Sequence, residues 1–179
     1  AGDQPGAELL GRFLELAGGP EAPLLYIPTA ASRAAGEAQR EYLALRALGA
    51  RELSIWHTID RNAANSIAFT APLRQAAGVW FGPGEQWRLA EAYLHTLAHR
   101  ELFALLGRGG AVGGSGAGAR FLGIHMAGDP YGWNEGAGLL RGAALHTWAM
   151  EKRPIAAMEA FLAKYSYALG IGIDAGAGL

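Results

Sequence analysis

The sequence predicts an α/β fold, a three-layer sandwich in which a mostly parallel central sheet carries helices on both faces. Three observations lead there. Short, near-continuous apolar runs such as Pro23-Leu24-Leu25-Tyr26-Ile27-Pro28 and Gly78-Val79-Trp80-Phe81 have the pattern of strands buried on both sides. Longer segments with apolar residues three or four positions apart separate those runs, the alternation that gives parallel strands joined by helices. Ala111 to Ala119 passes from an apolar run into Gly and Ala and then opens a helix, as the carboxyl end of a ligand-bearing strand does.

Residues 8–17 place Leu9, Phe13 and Leu16 at helical spacing, and Gly18-Gly19-Pro20 ends that helix. The apolar run 23–28 is the first strand, with Thr29-Ala30-Ala31-Ser32 as the small polar loop at its end. From Ala34 to Leu48 the stripe Ala38, Tyr42, Leu45 and Leu48 predicts a helix that stops at Gly49. Glu52 to Trp56 is the second strand. Asp60 to Ala77 has helical composition but contains Pro72, so it reads as a loop plus a short helix broken there. Gly78 to Phe81 is the third strand, ending in Gly82-Pro83-Gly84-Glu85-Gln86.

Trp87 to Leu106 carries helical periodicity, read as two helices split near His99, and Gly110 to Gly113 is a fourth strand. A helix over 117–126 follows, then a polar, Gly-rich excursion over 128–138 and an extended segment over 139–145. Glu151 to Tyr165, with Ile155, Met158, Phe161 and Leu162 on one side, is the last helix; Leu169 to Asp174 is the last strand.

At 179 residues the chain fits one domain. A net charge of −1 provides no basic footprint for nucleic acid and no acidic tail. The absence of cysteine removes disulfides, thiolate metal sites and a thiol nucleophile, and suits a reducing, cytoplasmic setting. No run approaches the roughly 18–20 apolar residues of a membrane span, and Ala1-Gly2-Asp3-Gln4-Pro5 does not have the basic and apolar regions of a signal peptide. The expectation is a chain acting away from membranes and nucleic acid. Ala1 in place of Met, and an apolar Leu179 just after a strand-like run, read as the ends of a processed or trimmed piece.

The stretch Gly114-Ser115-Gly116-Ala117-Gly118 has the frame of a nucleophile elbow, Gly-x-nucleophile-x-Gly, with glycine at the central position. Ser115 comes one place early, so its side chain should point away from the apex. Taken alone, the stretch reads equally well as a Gly-rich turn opening a helix, whose backbone N–H groups could hold an anion.

Four stretches resemble one known family, the cyanophycinases and dipeptidase E relatives, serine peptidases on a flavodoxin-like, class I glutamine amidotransferase-like fold. Tyr26 to Ser32 is similar to their I-P-T-A-S segment, and Phe81 to Gln86 to F-x-G-G-D-Q. Val112 to Ala119 resembles G-G-T-S-A-G-A, and Leu169 to Ala175 resembles L-G-I-G-I-D-E. The order holds from residue 5 to the end; the family's first strand and the part beyond residue 179 have no counterpart, which implies a single domain, 1–179, short at both ends.

The resemblance assigns positions for a Ser-His-Glu triad, and this sequence fills none of them. The nucleophile position falls on Gly116. Counting back from Gly170, the base position falls on Trp148 with His146 at the acidic position before it, and the orienting Glu falls on Ala175. A triad needs an attacking oxygen or sulfur, an imidazole to take its proton and a carboxylate to fix the tautomer; Gly, Trp and Ala supply none. The family's substrate-binding arginines fall on Lys152, Pro154 and Ala157, with Arg153 adjacent, while Gln86 and Asp174 match. The expectation is a pseudoenzyme that binds a peptide, small molecule or partner chain at the old cleft, through Glu85, Gln86, Ser115, Gly116, Ala117, His146, Trp148 and Lys152, without a cofactor. The resemblance also implies a homodimer, or pairing with a related chain.

Two other constellations compete. Ser115 or Ser32 with His146 could form a relocated hydrolase site, although a neighbour on a strand or elbow faces the other way. Among the five histidines, His95 and His99 share a helix face, but no carboxylate or third histidine stands at ligand spacing beside them, so a surface helix is expected and no metal. The tryptophans at 56, 80, 87, 133 and 148 read as core or interface anchors. Trp148 should fill the substrate space and Trp133 could cap the same cleft. Glu85 and Gln86 face the cleft or cap the helix that starts beside them.

Overall fold

Four short strands pair in parallel: β1 (Leu24–Ile27), β2 (Leu53–Ile55), β3 (Gly78–Phe81) and β4 (Ala111–Gly114), in the spatial order β2-β1-β3-β4. They come from a computed structural model that describes residues 5–31, 36–126, 134–147 and 154–179. The chain passes from β1 outward to β2 and returns to the other side of β1 for β3, so the strand order reverses there. Every residue of β1 and β3 is buried, which is why their sequences are unbroken apolar runs.

Side-chain alternation divides the core between the two faces of this sheet. Leu25, Ile27, Val79 and Phe81 point to one face, against α3 (Arg61–Ala64), α4 (Ile67–Gln75), α5 (Gln86–Tyr93), α6 (Leu97–Gly107) and α7 (Ala117–Leu122). Leu24, Tyr26 and Trp80 point to the other, against Leu10, Phe13 and Leu14 of α1 (Ala7–Leu16) and Leu45 of α2 (Gly36–Ala47).

A second sheet runs β6-β5-β7-β8, from β5 (His125–Met126), β6 (Asn134–Glu135), β7 (Ala143–Thr147) and β8 (Leu169–Ile173). Its β5–β6 pair is antiparallel; β5–β7 and β7–β8 are parallel, and α8 (Pro154–Lys164) packs on β8. The expected α/β architecture of parallel strands flanked by helices is present, with the strands divided into two groups of four. The elbow helix α7 packs on both β4 and β7, and its C-terminal carbonyls accept from Ala137 and Leu140, in the connection between β6 and β7, at 2.7 and 2.8 Å.

Several boundaries differ from the sequence expectation. Pro72 lies inside α4, and the break comes earlier, at Asn65-Ser66, where the Ser66 hydroxyl accepts from the Phe69 N–H at 3.2 Å and starts a new helix. The expected split near His99 falls at His95, in the left-handed region at φ 60°, where Thr96 caps the next helix. The helix expected over 117–126 stops at Leu122, because residues 125–126 are taken into β5. On α2 the apolar stripe contains a carboxylate: Glu41 is buried beside Leu45, whereas Leu48 is exposed. Among the described residues no helix is long and apolar enough to cross a membrane.

Candidate active-site crevice

In an open α/β sheet, ligands gather outside the carboxyl ends of the strands where the strand order reverses. Here that point is the β1–β3 boundary. The loops following these strands are stitched together, with the Gly82 N–H donating to Ile27 O at 3.0 Å and the Glu85 N–H to Ala30 O at 2.8 Å. The elbow adjoins them through the Ser115 N–H, which donates to Phe81 O at 3.0 Å.

Gly116 sits at the apex with φ 50° and ψ −116°. A side chain costs on the order of 1–3 kcal/mol in such a conformation, so the backbone takes the strained turn that a nucleophile elbow requires while the residue is the one type free of that cost. Gly118, the second residue of α7, packs so closely on Phe81 O that a Cβ would collide with that carbonyl. Helix and strand therefore meet backbone to backbone. Ala117 is buried as the first residue of the six-residue α7.

Alternation along β4 decides where Ser115 points. A Cβ on Gly113 would meet Trp80 and Phe13 on the α1/α2 face, one on Gly114 would meet Gly118 and Ala119, and Ser115 returns to the α1/α2 face. Its fully buried hydroxyl donates to Glu41 Oε1 at 2.5 Å, while Trp80 Nε1–H donates to Glu41 Oε2 at 2.8 Å. Burial pushes the Glu41 carboxyl up to about 7, against the pull of these two donors. The Tyr26 hydroxyl is raised as well, first by burial and then by the neighbouring Glu41 charge. Sequence reasoning missed Glu41; the available signal was an acidic residue four positions before Leu45 on the apolar face of α2.

A second buried polar chain crosses the ends of β1 and β2. Thr29 Oγ1 lies 2.6 Å from Tyr93 Oη and 2.8 Å from His57 Nδ1, and the Thr58 N–H donates to Tyr93 Oη at 3.3 Å. Thr29 and Tyr93 are buried and His57 is exposed. Desolvation lowers the His57 imidazole and raises the Tyr93 phenol to about 12. These residues were also missed, because contacts between positions 29, 57 and 93 leave no trace in local spacing.

The remaining expected residues are dispersed. Glu85 occupies the N-cap position of α5 with an exposed side chain that makes no cap hydrogen bond, and Gln86 is the half-buried first residue of that helix. His146 is buried in β7, in register with Gly172 of β8. Ala175 lies exposed in the turn after β8. Ser32, Trp133, Trp148, Lys152 and Arg153 lie outside the described residues. His95 Nε2 comes within 2.9 Å of Glu135, a partner supplied by the tertiary fold. His99 Nδ1 accepts the His95 backbone N–H at 3.1 Å within the α5–α6 junction, and its Nε2 reaches Ala137 O at 2.8 Å in the segment between β6 and β7, so both ring nitrogens are engaged within the fold. Among the described residues no group of three His, Cys, Asp or Glu side chains could hold a metal ion.

The fold is that of solved peptidase structures. A peptidase from an acI-B1 Actinobacterium superimposes with a TM-score of 0.78 at 23% identity, covering 97% of this chain and 79% of that one. A Listeria monocytogenes EGD-e protein that carries the name Peptidase E superimposes with a TM-score of 0.64 at 15% identity, covering 96% of this chain and 88% of that one. No family model matches the sequence, and no curated protein matches it.

Proposed function

We propose that this protein is a non-catalytic relative of the cyanophycinase and dipeptidase E peptidases, binding a peptide-like ligand or a partner chain at the crevice where those enzymes would cut. The supporting observation is Gly116: the apex has the strained elbow backbone, φ 50° and ψ −116°, and no side-chain atom to attack a carbonyl. Ser115, the nearest hydroxyl, is buried and donates to Glu41 on the α1/α2 face, which argues against its use as a relocated nucleophile. Trp148 and Ala175 at the other two triad positions provide neither base nor orienting carboxylate. Pairing with a second copy or a related chain, in the cytoplasm, belongs to the same reading.

Two assays test it. Purified protein should neither hydrolyse aspartyl dipeptides or an arginyl-aspartate polymer nor label with a fluorophosphonate serine probe. Hydrolysis abolished by Ser115→Ala or His146→Ala, or labelling at Ser115, would overturn the proposal.

A further inference from the structure

The Thr29–His57–Tyr93 chain plays no part in the reading above, and its hydrogens can be assigned. The Thr58 N–H has to donate to Tyr93 Oη, so the Tyr93 hydroxyl donates onward to Thr29 Oγ1 and the Thr29 hydroxyl to His57 Nδ1. In the reverse direction Tyr93 would keep a buried hydroxyl hydrogen without an acceptor, a loss of roughly 1–3 kcal/mol. The forward direction fixes the neutral imidazole with its hydrogen on Nε2. Desolvation, which lowers the His57 pKa, acts in the same direction. The exposed ring therefore presents to solvent an N–H donor whose Nε2 has no partner among the described residues.

Its position gives that donor a use. His57 follows β2, Thr29 follows β1, Gly84-Glu85 follow β3 and Gly116 follows β4, all at the carboxyl edge of one sheet. Three inter-strand spacings separate β2 from β4, about 14 Å, and about four residues of extended chain span that distance.

We infer that His57 is a ligand-binding residue, whose Nε2–H donates to a peptide carbonyl or carboxylate oxygen at the far end of a trough running from Gly116 across the strand ends. Thr29 and Tyr93 are positioning residues that hold the tautomer. The inference rests on the peptide-binding reading and adds to it a ligand length of about four residues.

The probes are Asp-Ala-Ala-Ala as free acid, the same peptide as C-terminal amide, and Asp-Ala, with binding followed by calorimetry and by ring-nitrogen NMR of His57. Wild type should show the Nε2–H pattern, shift it on saturation with either tetrapeptide, and bind the dipeptide more weakly. His57→Ala should weaken the tetrapeptide by about tenfold if the acceptor is the terminal carboxylate, or about threefold if it is a carbonyl. Free acid and amide binding alike would identify the carbonyl, and a preference for the acid the carboxylate. His57→Gln, which keeps a donor, should recover part of the affinity, and Thr29→Val should release the tautomer while Thr29→Ser holds it. Unchanged affinity in His57→Ala, a His57 signal unmoved at saturation, or no tetrapeptide binding by wild type would overturn the inference. Hydrolysis of the peptides by wild type would instead overturn the non-catalytic reading, whatever His57 does.

Discussion

The Ser115 hydroxyl donates to the Glu41 carboxyl across 2.5 Å, tying the residue before the elbow apex to the middle of α2 on the α1/α2 side of the sheet. The carboxyl is taken out of water and held by two neutral donors, Ser115 and Trp80. Two donors offset desolvation only in part, so the protonated form is favoured to an unusually high pH.

This relationship makes stability depend on pH. Between the ordinary 4.5 and about 7 the folded state holds a proton that the unfolded chain has lost. Folding is thus favoured more at the acid end, and stability declines as pH rises through this window, by on the order of 3 kcal/mol. Urea unfolding at pH 5 and pH 8 measures the decline. Glu41→Gln should flatten it, and an equal slope in that variant would locate the titrating group elsewhere.

Trp80→Phe removes the indole donor from the same carboxyl. The lost packing costs the same at both pH values, whereas the lost charge-assisted hydrogen bond costs about 1.5–3 kcal/mol only where Glu41 is ionised. The variant should therefore show a steeper pH dependence than wild type in the same unfolding experiment, with the midpoint of the decline moved upward.

Gly116→Ser places the missing hydroxyl at the apex. The side chain must adopt φ 50°, so the variant should lose about 1–3 kcal/mol in thermal or urea unfolding. It should still fail to label with a fluorophosphonate, since Trp148 and Ala175 cannot activate it. Rapid labelling would reveal a base outside the expected triad positions.

Thr96 accepts from the His99 N–H and donates to Tyr93 O at 2.6 Å, closing the junction that carries the left-handed His95. Thr96→Ala should cost about 1–2 kcal/mol, and Thr96→Ser should recover most of it in a chemical denaturation curve.

The sequence alone located the buried strands β1 and β3, because doubly buried strands must be apolar at successive positions and 24–27 and 78–81 are. It also determined the direction of Ser115, which follows from alternation along one strand, whereas the Gly spacing left an elbow and a plain Gly-rich turn open until the backbone of Gly116 decided between them. The helix junction at Asn65-Ser66 was not legible and the one at His95 was read four residues late, since a capping side chain and a left-handed residue compete there with uninterrupted helical composition. Only the tertiary structure decided the division of the strands into two sheets, the burial of Glu41 against Ser115 and Trp80, and the meeting of Thr29, His57 and Tyr93. Each of these depends on residues tens of positions apart, and hydrogen bonds between distant segments impose no periodicity on the chain that forms them.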